Sequence, residues 1–155
     1  MKNNIIILNS KDKKQIRKIL EKEYNVKEIP NKIYFCISSK DNVYITNKEL
    51  FDPDHFLLRV SSFGMLFGTF INEEFYLSIE GSQMISKQIS KNVYELNEEE
   101  KKLWIKGFNL ENIADEYNNK ILILKYNNDF FGSAKVKKGI IKNNFLKSRI
   151  IKNTF

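Results

Sequence analysis

The apolar residues of this chain come in short runs of four to six, and even the longest, around residues 63–70, is broken by Gly64 and Gly68. This segmentation limits the fold more than any other feature. A membrane-crossing helix needs roughly 20 consecutive apolar residues, and a secretory leader needs an apolar core of about 7–15. The run from Ile5 to Leu8 is too short for either, so a cytoplasmic protein with no membrane partner is expected. Short runs separated by Gly, Asn and Asp read as short strands and turns around few helices. Hydrophobic residues at 42% with 13% aromatic can fill a core, which excludes a disordered chain.

Ser10 can cap a helix over residues 11–24, because Ile16, Ile19, Leu20 and Tyr24 recur at helical spacing with Lys and Glu on the other face. Pro30 ends that unit. Residues 33–37 and 42–46 read as strands around a Ser-Ser-Lys-Asp turn. Asn47 can cap a helical turn to residue 51, Asp52-Pro53-Asp54 stops it, and residues 56–60 form another strand. The glycines in the run 63–70 mark bulges or close backbone approach. Residues 75–85 carry a weak helical pattern. Residues 93–96 are strand-like, and Asn97 caps a helix over 98–106, with three glutamates in its first turn and Gly107 as its stop. Strands follow at 121–126, 130–136 and 140–141, with turns at 127–129 and at Lys138-Gly139, and a last strand at 149–151. The expected class is α+β: a small N-terminal α/β unit over residues 1–60, packed on a mixed β barrel over residues 61–155.

Chemistry is hard to find. A single cysteine, Cys36, and a single histidine, His55, exclude an internal disulfide, a Cys-based zinc site and a two-histidine mechanism. Cys36 lies in an apolar strand and reads as an inert buried thiol, and His55 as a solvated or capping residue beside Asp54. The Glu98-Glu99-Glu100 triplet is explained by its helix start, so no metal site is expected. No phosphate loop and no nucleotide- or S-adenosylmethionine-type glycine turn is present, so no cofactor is expected either. Trp104 and Phe108 read as core residues.

Charge is more informative. Up to Asn119 there are 17 basic and 18 acidic residues; from Lys120 onward there are nine basic residues and one acid, Asp129. The nine are spread along strands and turns. Lys135 and Lys137 share one face of an extended strand, and Lys138, Lys142 and Asn143 flank the next turn. A strip of this kind meets phosphates without regard to base sequence, and such binding weakens with salt.

Three stretches in this region carry a resemblance. Val93-Tyr94-Glu95-Leu96-Asn97-Glu98-Glu99-Glu100 leads to Leu103-Trp104-Ile105-Lys106-Gly107. Ile121-Leu122-Ile123-Leu124-Lys125-Tyr126 leads to Phe131-Gly132-Ser133-Ala134-Lys135. The third is Gly139-Ile140-Ile141-Lys142-Asn143-Asn144-Phe145-Leu146-Lys147-Ser148-Arg149. In order and spacing they resemble the C-terminal PUA-like domain of Sun/Fmu-class RNA cytosine-5 methyltransferases. Ser133-Ala134, Leu146 and Ser148 depart from that family's aromatic–small pair, proline and glycine. The family's cofactor fold and paired Pro-Cys and Thr-Cys motifs have no counterpart here. The first 60 residues, through Val43-Tyr44-Ile45 and then Ser62-Phe63-Gly64, also resemble the pre-PUA and PUA arrangement of Nip-type ribosome-biogenesis proteins.

The resemblance implies a PUA-like pseudo-barrel and a non-catalytic protein that binds structured rRNA or tRNA in RNA modification or ribosome biogenesis. An adaptor docking a separate RNA methyltransferase or ribosome-assembly factor is the alternative. Carried over by position, it points to Lys106, Lys125, Lys135, Lys142, Asn143, Lys147 and Arg149 as RNA contacts. Lys137 and Lys138 join them from the charge pattern. Arg59 joins because it precedes the first PUA-like strand and arginine suits planar phosphate contact.

Overall fold

The computed structural model describes residues 5–30, 33–38, 40–47, 64–145 and 147–152. Asn47, the expected cap of a turn, ends a strand instead; the rest of that turn at 48–51, the Asp52-Pro53-Asp54 stop, His55, the strand at 56–60 and Arg59 fall outside these, as does Leu146. The chain is α+β. A five-stranded antiparallel sheet runs in the order β1 (Ile6–Ile7), β2 (Ile33–Ile37), β3 (Asn42–Asn47), β4 (Met65–Ile71), β5 (Glu74–Leu77). It is continuous across position 60, because β3 pairs with β4 through Asn42↔Thr69 and Val43↔Gly68. A second sheet, curled into a half-barrel, has the order β6 (Val93–Glu95), β7 (Ile121–Tyr126), β8 (Asp129–Lys137), β9 (Ile140–Ile141). Its first pair is parallel and the rest antiparallel.

Helix α1 (Ser10–Tyr24) buries Ile16, Leu20 and Tyr24, as its periodicity requires. Its cap is Asn9, not Ser10. The Asn9 side chain accepts from the backbone of Lys11 and Asp12 at 2.9 and 3.0 Å, and the Asp12 carboxylate accepts from Asn9 N–H, closing a capping box. Asparagine caps as well as serine does, and only position 9 has an acid three residues on. The helix ends at Asn25, in the left-handed region at φ 61°. Of the nine described non-glycine residues with positive φ, six are asparagines: Asn25, Asn72, Asn92, Asn112, Asn119 and Asn127. The abundant asparagines therefore punctuate the fold, since their short polar side chain tolerates this region better than others do.

The weak helical pattern at 75–85 resolves into β5 followed by a short helix α2 (Ile79–Met84), capped by Ser78. Asn72 and Glu73 both have positive φ and join β4 to β5 in a two-residue hairpin, a geometry that matches strand twist. Asn-Glu is not a common sequence signal for that turn. Gly68 permits the close packing expected of it: a Cβ there would lie 2.4 Å from the Phe75 ring and 2.6 Å from the Tyr76 carbonyl oxygen.

Helix α3 (Glu98–Ile105) starts at Asn97 in a second capping box with Glu100. Glu100 also accepts from the Tyr94 hydroxyl at 2.8 Å. Burial first, and then this carboxylate, push the Tyr94 phenol up to about 12. Trp104 is fully buried, but Phe108 is 57% exposed, contrary to its expected core position: the chain has already turned out of the helix at Gly107. The expected strand at 149–151 is instead a 3-10 turn, Lys147–Arg149, whose continuation is fastened to α3 by Ile151 N–H donating to Ile105 O.

The two sheets share a core. Strand β7 is buried on both sides, which explains its unbroken apolar run. Ile123 packs with α1 and the first sheet, while Leu122 and Leu124 pack with Trp104, Leu110 and Val136. At the junction, buried Ser133 of β8 accepts from Leu77 N–H of β5 at 2.8 Å, and buried Ser82 of α2 accepts from Gly132 N–H at 3.0 Å. The end of α1 is tied to the entry of the second sheet by Asn92 and Lys91, whose side chains donate to Glu23 O and Lys22 O.

Candidate nucleic-acid interface

Strand β8 alternates. Ala134 and Val136 enter the core, and Lys135 and Lys137 project from the opposite face, as period two demands. The Lys138-Gly139 turn has positive φ at both residues and returns the chain through β9, so Lys142, Asn143 and Asn144 come to lie beside those lysines. Together they line a groove of about 510 Å³, whose other wall is Ile71 and Tyr76 of the first sheet. The fold thus gathers Lys135, Lys137, Lys142 and Asn143 in one place. Lys138 is exposed on the adjoining turn.

Lys135 is paired with Glu74 at 2.5 Å, and the Tyr76 hydroxyl donates to the other Glu74 oxygen at 3.0 Å. The hydrogen bond from Lys135, opposed by burial and helped by Tyr76 and the charges of Lys135 and Lys137, holds the Glu74 carboxyl below the usual range. Burial and the same carboxylate raise the Tyr76 phenol. Asn143 faces inward. Its amide nitrogen donates to Trp104 O and Phe108 O at 2.8 and 3.1 Å, and its carbonyl oxygen accepts from Phe145 N–H at 2.9 Å. It therefore latches the 142–145 strap across the end of α3.

A second groove of about 440 Å³ adjoins the first and shares Ile71, Tyr76 and Asn144 with it. The remaining walls include Asn42, Tyr44, Leu66, Phe131, Phe145 and an Arg149–Glu80 ion pair. Burial acts to raise the Glu80 carboxyl. The bond from Arg149, a backbone N–H and Ser78 outweigh it and hold the group low. Arg149 is thus at the same face as the lysine strip. The other expected contacts are elsewhere. Lys125 pairs with Glu95 at 3.4 Å and lies over the Phe130 ring, Lys106 sits at the C-terminus of α3, and Lys147 is exposed on the 3-10 turn.

Two features escaped the linear reading. The aromatic wall comes from β3, β5, β8 and the strap, which no local motif links. A cationic face on α1, with Lys13, Lys14, Arg17 and Lys18 bordering a groove of about 500 Å³, was hidden in the near-zero charge balance of the first 119 residues. The three-to-four-residue spacing of those side chains was the available signal. Cys36 is fully buried, which raises its thiol, with Lys13 acting in the opposite sense. Among the described residues, no three potential ligands cluster as a metal site and no helix is long and apolar enough to cross a membrane.

No curated protein matches this chain. The matched portion is the half-barrel with α3 and the C-terminal strap: residues 91–151 are similar to the PUA domain of the methyltransferase RsmF, the kind of domain that the three sequence stretches resemble.

Proposed function

We propose that the chain is a non-catalytic RNA-binding protein that grips structured rRNA or tRNA by its phosphates, in RNA modification or ribosome biogenesis in the cytoplasm. The observation that carries this reading is the convergence of Lys135, Lys137 and Lys142 on one groove within a segment similar to a methyltransferase PUA domain. Residues 61–155 supply the RNA-binding domain, and the pre-PUA-like residues 1–60 contribute Asn42 and Tyr44 to the neighbouring groove. Phosphate contacts set affinity and orientation, and the shape of the folded RNA supplies selectivity. Lys138 and Lys147 extend the cationic surface, with Arg149, Lys106, Lys125 and Arg59 as further contacts.

The test is fluorescence anisotropy of a structured RNA against the wild type and a Lys137→Glu/Lys142→Glu double variant over a salt series. The variant should bind every RNA more weakly, with a shallower dependence on salt. Unchanged affinity would sink the reading.

The adaptor reading has its own observation. Leu103, Phe108 and Ile151 are 43%, 57% and 46% exposed around the end of α3, where a separate methyltransferase could dock. Recovery of a partner complex that survives nuclease treatment, and is lost in Phe108→Asp, would favour it.

A further inference from the structure

The two adjoining grooves differ in charge. The strip groove carries three lysines, with Glu74 as the acid bonded to one of them. In the aromatic groove the single arginine is matched by Glu80, so the walls are close to neutral. A phosphate favours the first, where positive charge is in excess, over the second, where it is balanced. A neutral planar group has the opposite preference, because the lining includes four aromatic residues, Tyr44, Tyr76, Phe131 and Phe145.

We propose that the aromatic groove holds one unpaired base of a bound RNA while the phosphate next to it lies on Lys135, Lys137 and Lys142. The inference rests on the RNA-binding reading and adds a recognition site to it. The shared wall of Ile71, Tyr76 and Asn144 is what makes the two subsites fit one nucleotide. Across three strands Asn42, Thr69 and Tyr76 sit side by side, through Asn42↔Thr69 and Thr69↔Tyr76. The Thr69 hydroxyl donates to Asn42 Oδ1 at 2.8 Å, which fixes the amide, and Asn42, Glu80 and Arg149 are all lining residues of the groove. An amide, a carboxylate and a guanidinium can all pair with the polar edge of a base. A base stacked inside an A-form helix cannot reach such a cleft, so the ligand is a bulged, looped or extruded nucleotide.

The experiment compares one hairpin RNA carrying a single-nucleotide bulge with the same hairpin fully paired, by anisotropy at several salt concentrations. Stacking of a base on aromatic side chains is worth about 1–3 kcal/mol, so the bulged RNA should bind about 5- to 150-fold tighter. Thr69→Trp, which fills the groove, should erase that ratio. As a measurement independent of that variant's folding, 5-iodouridine placed at the bulge should photocrosslink in the wild type to Tyr44, Tyr76, Phe131 or Phe145. Equal, salt-sensitive binding of the two hairpins overturns the base subsite and leaves RNA binding standing. Crosslinks confined to peptides outside the groove also overturn it. Absence of salt-sensitive binding to either RNA overturns both readings.

Discussion

Ser133→Ala tests the join between the two sheets. Ser133 is 1% exposed, and its hydroxyl oxygen accepts from Leu77 N–H at 2.8 Å. Leu77 itself is 3% exposed, although it borders the aromatic groove, so water has little room to replace the lost oxygen. Removing one atom opens almost no cavity. The cost is therefore that of a buried backbone donor left unsatisfied, about 1–3 kcal/mol. With a urea m-value of about 2 kcal/mol/M, the unfolding midpoint should fall by about 1 M. Trp104, the only tryptophan, is fully buried in the second sheet's core and reports the transition by fluorescence. Thr69→Val is the contrast. Its hydroxyl is also 2.8 Å from a partner, Asn42, but both side chains are half-buried on a groove wall that water reaches. That change should cost less than about 1 kcal/mol. A shift below about 0.25 M for Ser133→Ala, or one no larger than for Thr69→Val, would refute the claim that this hydrogen bond joins the sheets.

Asn143→Ala removes two donated bonds and one accepted one, and leaves Trp104 O and Phe108 O without that partner. It should destabilise by about 1–3 kcal/mol in thermal melts, whatever its effect on RNA. Gly68→Ala drives a methyl into the Phe75 ring and the Tyr76 backbone and should cost about 1–3 kcal/mol in urea titration, with loss of any bulge preference as Tyr76 shifts. Glu74 has a carboxyl held below its ordinary value, first by the Lys135 hydrogen bond. A lowered folded-state value contributes stability above the unfolded value of 4.5, and this is lost as pH falls through the folded one. The melting temperature of Glu74→Gln should therefore fall less than that of the wild type on acidification from about pH 6 to about pH 3. Parallel melting curves would contradict the pairing.

Local signals carried much of the fold and only part of the site. The capping box at Asn97, the stop at Gly107 and the Lys138-Gly139 turn are contiguous in sequence, and each appears where its chemistry puts it. The alternation of Lys135 and Lys137 was readable for the same reason. The elements misread depended on something distant or on a rarer local choice. Asn9 displaced Ser10 because Asp12 completes its box. β5 replaced the first part of a helical pattern, the rest of which is α2, because Asn72 and Glu73 close a hairpin against β4. The last segment is not a strand because its hydrogen bond goes to α3.

The aromatic groove could not have been read from any one stretch, and the reason bears on how it works. Tyr44 and Phe131 lie far apart in sequence. They face one cleft because β5 docks on β8 through Leu77 and Ser133, and because the strap carrying Phe145 is pinned to α3 by Asn143. The lysine strip needs little of this, since Lys135, Lys137 and Lys142 belong to one hairpin and the residue after it. A substitution at the join should therefore act unequally on the two. Ser133→Ala, at temperatures where it remains folded, should leave salt-dependent RNA affinity nearly intact while reducing the advantage of a bulged RNA, because a backbone adjustment at Leu77 displaces Tyr76 beside it. Equal loss of both would mean that strip and groove are held by the same contacts, and that the separation of phosphate binding from base binding along this surface is wrong.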